Sequence, residues 1–163
     1  MKKIVVCGFM LLAAASMSLL SSCDDKVISS ESAVDKNQTA TVEIHARYNS
    51  STANDGVEGY STVPSARMIL TAPNNKLGNS KANGNYVQEV TLADKVTISL
   101  PATSEGVDYT AAFTDFVAGY KKGADDEKSY IFKGALQGDL KNLKPGEYRI
   151  VKVVYTKDKL ITF

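Results

Sequence analysis

Catalysis and metal binding lean most often on imidazoles and thiols, and this chain carries few of them. It has two cysteines, Cys7 and Cys23, a single histidine, His45, and no tryptophan. His45 lies between Glu43 and Arg47 in a run that alternates polar and apolar residues. A zinc site would need three or four N, S or acid ligands, and no second histidine exists to share the task. A Ser-His-Asp triad would have to recruit His45, yet no serine occupies a Gly-x-Ser-x-Gly elbow. His45 therefore reads as an exposed strand histidine. Asp125-Asp126-Glu127, after Gly123-Ala124, offers oxygens to a hard cation such as calcium. It lacks the spaced ladder of an EF-hand, and a charged hairpin tip is the better reading. No pair of carboxylates is marked out for glycoside hydrolysis, which requires a defined separation across a cleft. The expectation is a non-enzymatic protein without catalytic residue, metal or cofactor.

The cysteines point elsewhere. Lys2 and Lys3 open the chain, an apolar run continues from Ile4 to Leu20, and Ser21-Ser22-Cys23 is followed by Asp24-Asp25. A positive start, an apolar core and small residues at the end describe a secretory signal. A transmembrane anchor is the alternative, since the run approaches the roughly 20 residues needed to span a bilayer. No basic stop-transfer cluster follows it, however. A leader over residues 1–22 would take Cys7 with it and leave Cys23 without a disulfide partner.

Leu20-Ser21-Ser22-Cys23 resembles the lipobox of bacterial lipoproteins, with Ser22 where glycine or alanine is commoner. The resemblance implies that a diacylglyceryl group is attached to the Cys23 sulfur, for which a thiolate is the nucleophile. It also implies cleavage before Cys23 and acylation of the new amine. Each buried methylene contributes ~0.8 kcal/mol, so two or three acyl chains hold a protein on a membrane where one does not. Asp24-Asp25 resembles the surface-export signal of Bacteroidota lipoproteins; in the enterobacterial system an aspartate there would instead favour inner-membrane retention. The expected location is the outer membrane, lipid-anchored and facing the cell exterior. Residues 23–38 are rich in Ser, Asp, Glu, Lys and Asn, with apolar residues too scattered to form a face. They read as a flexible tether.

Removing the leader leaves about 140 residues, the size of one domain. Nineteen basic and 18 acidic residues give a net charge of +1. No basic stripe stands out to recommend a nucleic-acid partner.

Residues 39–163 read as all-β. From Thr39, Val42, Ile44, Ala46 and Tyr48 alternate with Thr41, Glu43, His45 and Arg47, the pattern of a half-buried strand. Further candidates are 66–72, 86–92, 96–100, 107–113, 129–136 (weakened by Gly134) and 147–156. Thr156-Lys157-Asp158-Lys159 is expected to turn into a closing hairpin strand over 160–163. A short helix over 111–119 is the competing reading there. About seven or eight strands with polar, Gly- and Asn-rich turns suggest a β-sandwich. Asn142-Leu143-Lys144-Pro145-Gly146-Glu147-Tyr148-Arg149-Ile150 resembles the tyrosine-corner region of fibronectin type III and related immunoglobulin-like domains. That implies a Pro-Gly turn and a Tyr148 hydroxyl bonded to nearby backbone. The same segment resembles the end of transthyretin-like domains, and 63–70 resembles their opening strand.

Three long polar loops are expected, at 49–63, 73–85 and 117–128, and such loops tend to carry function. Tyr60 and Tyr120 fall in or beside them, each next to a glycine. Exposed tyrosines give contact area at low rotamer cost; packing of both rings over sheet edges is the alternative. The domain is therefore expected to bind an envelope protein or extracellular ligand, or to serve a polysaccharide-uptake system as a carbohydrate-binding accessory. Replacing Cys23 with alanine should abolish metabolic labelling by a fatty acid and release the protein or leave it as precursor. Equal labelling of the two proteins would end the lipoprotein reading.

Overall fold

The computed structural model describes residues 38–78 and 83–162. The expected leader, Cys23 and nearly all of the expected tether lie outside the described residues, as do the middle of the 73–85 segment and Phe163. Among the described residues there are nine strands and one short 3-10 turn, Asn74–Lys76. The strands are β1 (Thr39–Thr52), β2 (Glu58–Thr62), β3 (Arg67–Pro73), β4 (Asn85–Thr91), β5 (Val96–Pro101), β6 (Thr110–Phe113), β7 (Phe116–Lys122), β8 (Lys128–Gln137) and β9 (Tyr148–Leu160).

The protein is all-β, with a six-stranded sheet (β1, β2, β5, β7, β8, β9) and a three-stranded sheet ordered β4-β3-β6. β1 organises the larger sheet because both of its edges are used. On one edge it pairs antiparallel with β5 through Thr39–Ile44 and with β2 through Arg47–Thr52. On the other it runs parallel to β9, from Thr41↔Tyr148 to Tyr48↔Tyr155, and its last residues meet β7 at Ser51↔Lys121 and Thr52↔Lys122. Since β7 pairs with β8 and β8 with β9, these strands close a circuit around β1.

The alternation in β1 does what period-2 patterning requires. Ala40, Val42, Ile44 and Ala46 are wholly buried, and their β9 neighbours Val151, Val153 and Tyr155 join them. Met68, Leu70, Ala72 and Val90 supply the inward side of the smaller sheet to the same core. Where the larger sheet closes, aromatic rings fill the space. Tyr48 meets Phe132 edge-on at 5.0 Å, Phe116 stacks on Phe132 at 5.4 Å, and Phe116 tilts onto Tyr155 at 4.9 Å. Such pairs add ~0.5–1.5 kcal/mol beyond their buried area. The Tyr155 hydroxyl donates to the Thr114 carbonyl (3.1 Å), which ties the ring to the corner between β6 and β7.

The structure corrects several expectations. Over 111–119 it is the strand reading that holds and the competing helix that does not form: β6 ends at Phe113, the chain turns through Thr114 and Asp115, and β7 begins in the other sheet. The closing hairpin at 156–159 is absent. β9 runs on to Leu160, with its pairing to β8 shifting from Lys157↔Phe132 to Lys159↔Ile131. Asp158 is thus the extra residue of a bulge, and polar residues continue the strand because its end is solvent-exposed. The 49–63 and 117–128 segments are not long loops. Most of their residues belong to the β1–β2 and β7–β8 hairpins; the edge strand β2 shows water on both faces and so lacks an apolar stripe, whereas β7 turns Phe116, Ala118 and Tyr120 inward. In the 107–113 candidate only Thr110–Phe113 is strand, and Val107 makes an isolated bridge to Leu143.

The Pro145-Gly146 turn is as expected. Gly146 takes φ +77° and the Glu147 amide donates to the Lys144 carbonyl (3.1 Å), which is the geometry that needs glycine third in the turn. Gly134, which weakens β8 in the sequence, has a packing role. A Cβ built there would lie 2.7 Å from Tyr155 Cζ and 3.0 Å from Phe113 Cγ. Gly134→Ala should therefore destabilise the domain by about 1–3 kcal/mol through overpacking. Equilibrium denaturation measures this, and an unchanged midpoint would contradict the close approach.

Candidate functional site

Period 2 sends the odd residues of β1 outward. Parallel pairing sets them beside the outward residues of β9, as Glu43↔Ile150, His45↔Lys152 and Arg47↔Val154. This outer face of the larger sheet holds the main concentration of chemistry among the described residues.

Glu43 is its hub. Only 7% of it is exposed, and three donors cover its carboxylate. Lys95, just before β5, places Nζ 2.8 Å from Oε2. The Tyr148 hydroxyl, from β9, donates to the same oxygen at 2.5 Å. His45 Nε2 stands 2.6 Å from Oε1. Hydrogen bonds from Lys95, Tyr148 and His45 outweigh the cost of desolvation and hold the carboxyl at about 2, against an ordinary 4.5. It is ionised at neutral pH and can only accept, so His45 carries its proton on Nε2 in this contact. The reciprocal effect raises both the Tyr148 phenol and the Lys95 ammonium, in each case chiefly through the Glu43 hydrogen bond.

Beside this hub a groove of about 450 Å³ crosses β2, β1, β9 and β8. Tyr60, His45, Arg47, Ile150, Lys152 and Gln137 give it its polar and apolar character. Tyr60 is 45% exposed and Ile150 56%. The Tyr60 hydroxyl donates to Glu58 on its own strand (2.5 Å), which orients the ring. An adjoining cleft lies between Arg47, Tyr60 and Asp94, and both Asp94 oxygens accept from Thr62 Oγ1 at 3.0–3.1 Å.

The two tyrosines singled out from the sequence part company. Tyr60 is exposed and lines the groove. Tyr120, on β7, is only 7% exposed. Its hydroxyl lies 2.7 Å from Thr52 Oγ1, Tyr130 packs edge-on at 5.7 Å, and Lys157 Nζ sits 3.8 Å above its ring centre. The expectation of an exposed Tyr120 fails because strand pairing turns that ring toward the closing seam and a cation covers it. Asp125 and Asp126 stand at the β7–β8 hairpin tip, in a small cleft with Lys122 and Lys128.

His45 is half-exposed on the outward face but is engaged by Glu43 rather than standing alone. Tyr148 departs from the tyrosine-corner expectation, being 56% exposed and bonded to a carboxylate of β1 instead of nearby backbone. A backbone-bonded tyrosine does exist: Tyr109 is buried, and its hydroxyl donates to the Pro101 carbonyl at 2.7 Å. The sequence marked Glu43 and Arg47 only as polar positions of a strand. Their grouping with Lys95, Tyr148 and Lys152 depends on pairings between distant segments.

The fold and this face define a two-sheet all-β domain with a tyrosine-bearing groove on an outward sheet surface. No family model, curated protein or solved structure matches the chain.

The depressed Glu43 pKa fixes a sign. Stability from its ionised form is fully present above about pH 4.5 and is lost as pH falls toward about 2. Glu43→Gln should therefore lower the melting temperature at pH 6, with the gap to wild type closing between those limits. A gap that stayed constant down to pH 2 would mean that the cluster does not form in solution.

Proposed function

We propose that the chain is an exported, lipid-anchored protein of the outer membrane whose all-β domain is a non-enzymatic binding or assembly module on the cell surface. The lipobox at Leu20-Ser21-Ser22-Cys23 supports the anchor, and Asp24-Asp25 supports the surface location. An immunoglobulin-like or transthyretin-like sandwich is the finer reading of the fold. It is supported by the Pro145-Gly146 turn into β9 and by a chain that changes sheet at β2–β3, β4–β5, β5–β6 and β6–β7.

The observation that carries the binding role is the groove on the outer face, where exposed Tyr60 and Ile150 flank Arg47 and Lys152. An aromatic and an aliphatic side chain held in water beside convergent polar groups is the usual composition of a recognition surface. Between an envelope protein and a glycan, the open groove with its exposed Tyr60 favours the glycan, and an accessory role in polysaccharide uptake follows as the second reading.

The test uses the full chain in detergent, probed on an oligosaccharide array and against envelope fractions. Replacing Tyr60 and Ile150 together by serine should weaken capture at least ~10-fold while the melting temperature changes little, because both side chains are exposed. Tyr120→Ser should lower the melting temperature instead, because that ring is packed. Undiminished capture by the Tyr60/Ile150 variant would remove the outer face from the contact surface.

A further inference from the structure

We propose that the groove on the outer face of the larger sheet takes a saccharide bearing carboxylates, with Arg47 and Lys152 receiving the acid and Tyr60 the sugar ring. The proposal rests on the reading of this face as the contact surface and adds the class of ligand.

Charge is the first argument. The cations lining the groove are Arg47 and Lys152, with Lys95 and His45 beside them. Glu43 is their buried counter-ion, and it engages Lys95 and His45. Arg47 and Lys152 have no ion-pair partner within 4.0 Å among the described residues, and no acidic side chain lines the groove. Asp94 and Glu58 accept from the Thr62 and Tyr60 hydroxyls and keep their charge, but neither lines the groove; Asp94 shares the adjoining cleft with Arg47. The groove is left with two positive charges on adjacent strands, a guanidinium suited to a carboxylate fork and an ammonium beside it.

The second argument concerns which anion. Beneath the groove, β1 is paired with β9 at His45↔Lys152 and Arg47↔Val154, and β9 with β8 at Lys152↔Gln137. The Arg47 end of β1 also pairs with β2, at Arg47↔Thr62. The backbone of β1, β9 and β8 beneath the groove is therefore occupied within the sheet, and an acidic peptide could not add to these strands. Recognition falls to side-chain tips: a guanidinium, an ammonium, the Gln137 amide and the face of a tyrosine. Hydroxyls and carboxylates on a ring with an apolar face match that set. The volume of about 450 Å³ lies within the ~300–1,000 Å³ common for small-ligand sites.

Calorimetry with the detergent-solubilised full chain tests this, using oligomers of galacturonate, glucuronate and mannuronate as probes. Neutral galactose and glucose oligomers of equal length and oligoglutamate serve as comparisons. At least one acidic oligosaccharide should bind, at least ~10-fold more tightly than its neutral counterpart and more weakly as salt rises. Arg47→Gln with Lys152→Gln should remove that preference, and Tyr60→Ser should weaken binding with the salt dependence retained. Oligoglutamate binding as tightly as the uronates would overturn the saccharide assignment. A neutral oligomer bound equally well, sensitive to Tyr60 but not to Arg47 or Lys152, would overturn the acidic class while leaving the face as the contact surface. Binding insensitive to all three substitutions would overturn both readings, and no binding of any acidic oligosaccharide would overturn the proposal alone.

Discussion

The parallel pairing of β1 with β9 joins the two ends of the domain, and both surfaces of the larger sheet depend on it. A single register, Tyr48↔Tyr155 to Thr41↔Tyr148, fixes what lies on each side of these strands. Inward it stacks Ile44 with Val151 and Ala46 with Val153; outward it sets Glu43 beside Ile150 and His45 beside Lys152. A slip of one residue would exchange these faces, burying Lys152 and exposing Val153. The contact between Glu43 and Tyr148 spans 105 residues. Bringing such distant segments together costs closure entropy that only a well-filled core can offset.

That core is aromatic where the sheet curls. Without tryptophan, the seam between β1, β7, β8 and β9 is filled by Tyr48, Phe116, Phe132 and Tyr155. Gly134 lets Tyr155 lie close against β8, and the Tyr155 hydroxyl meets the Thr114 carbonyl, so the buried polar tip is not left unsatisfied. Burial raises that phenol to about 12, which keeps it a neutral donor at physiological pH. Tyr120 extends the same seam toward the hairpin tip, and this is why a tyrosine beside a glycine in a polar segment faces inward.

On the outer face the electrostatics are decided by a division of labour among acids and bases. Glu43 draws Lys95, His45 and Tyr148 around itself and becomes covered by them instead of by the interior. Its pKa falls, although desolvation alone would raise it, because charge-assisted hydrogen bonds dominate. With the acid consumed in this way, the neighbouring groove keeps the sign set by Arg47 and Lys152.

The all-β class and most strand cores were legible in the sequence alone, because a half-buried strand must alternate. Val42-Ile44-Ala46 shows this period directly, and so does Val151-Val153-Tyr155. The Pro145-Gly146 turn was equally local, since a positive φ at the third position calls for glycine. The edge elements were not legible. β2 and the end of β9 are wet on both faces, so their residues carry no hydrophobic period; β7 does alternate, but through Phe116, Ala118 and Tyr120, and its small and polar residues made it read as a loop. Nor could the sequence distinguish Tyr60 from Tyr120, each preceded by glycine in a polar stretch. Exposure of the first and burial of the second follow from which edge of β1 each hairpin joins, and that pairing is set by the summed fit of the core, not by any signal near either tyrosine. The Glu43 cluster and the cationic groove likewise exist only through tertiary structure, because their side chains come from segments as far apart as β1, β5 and β9.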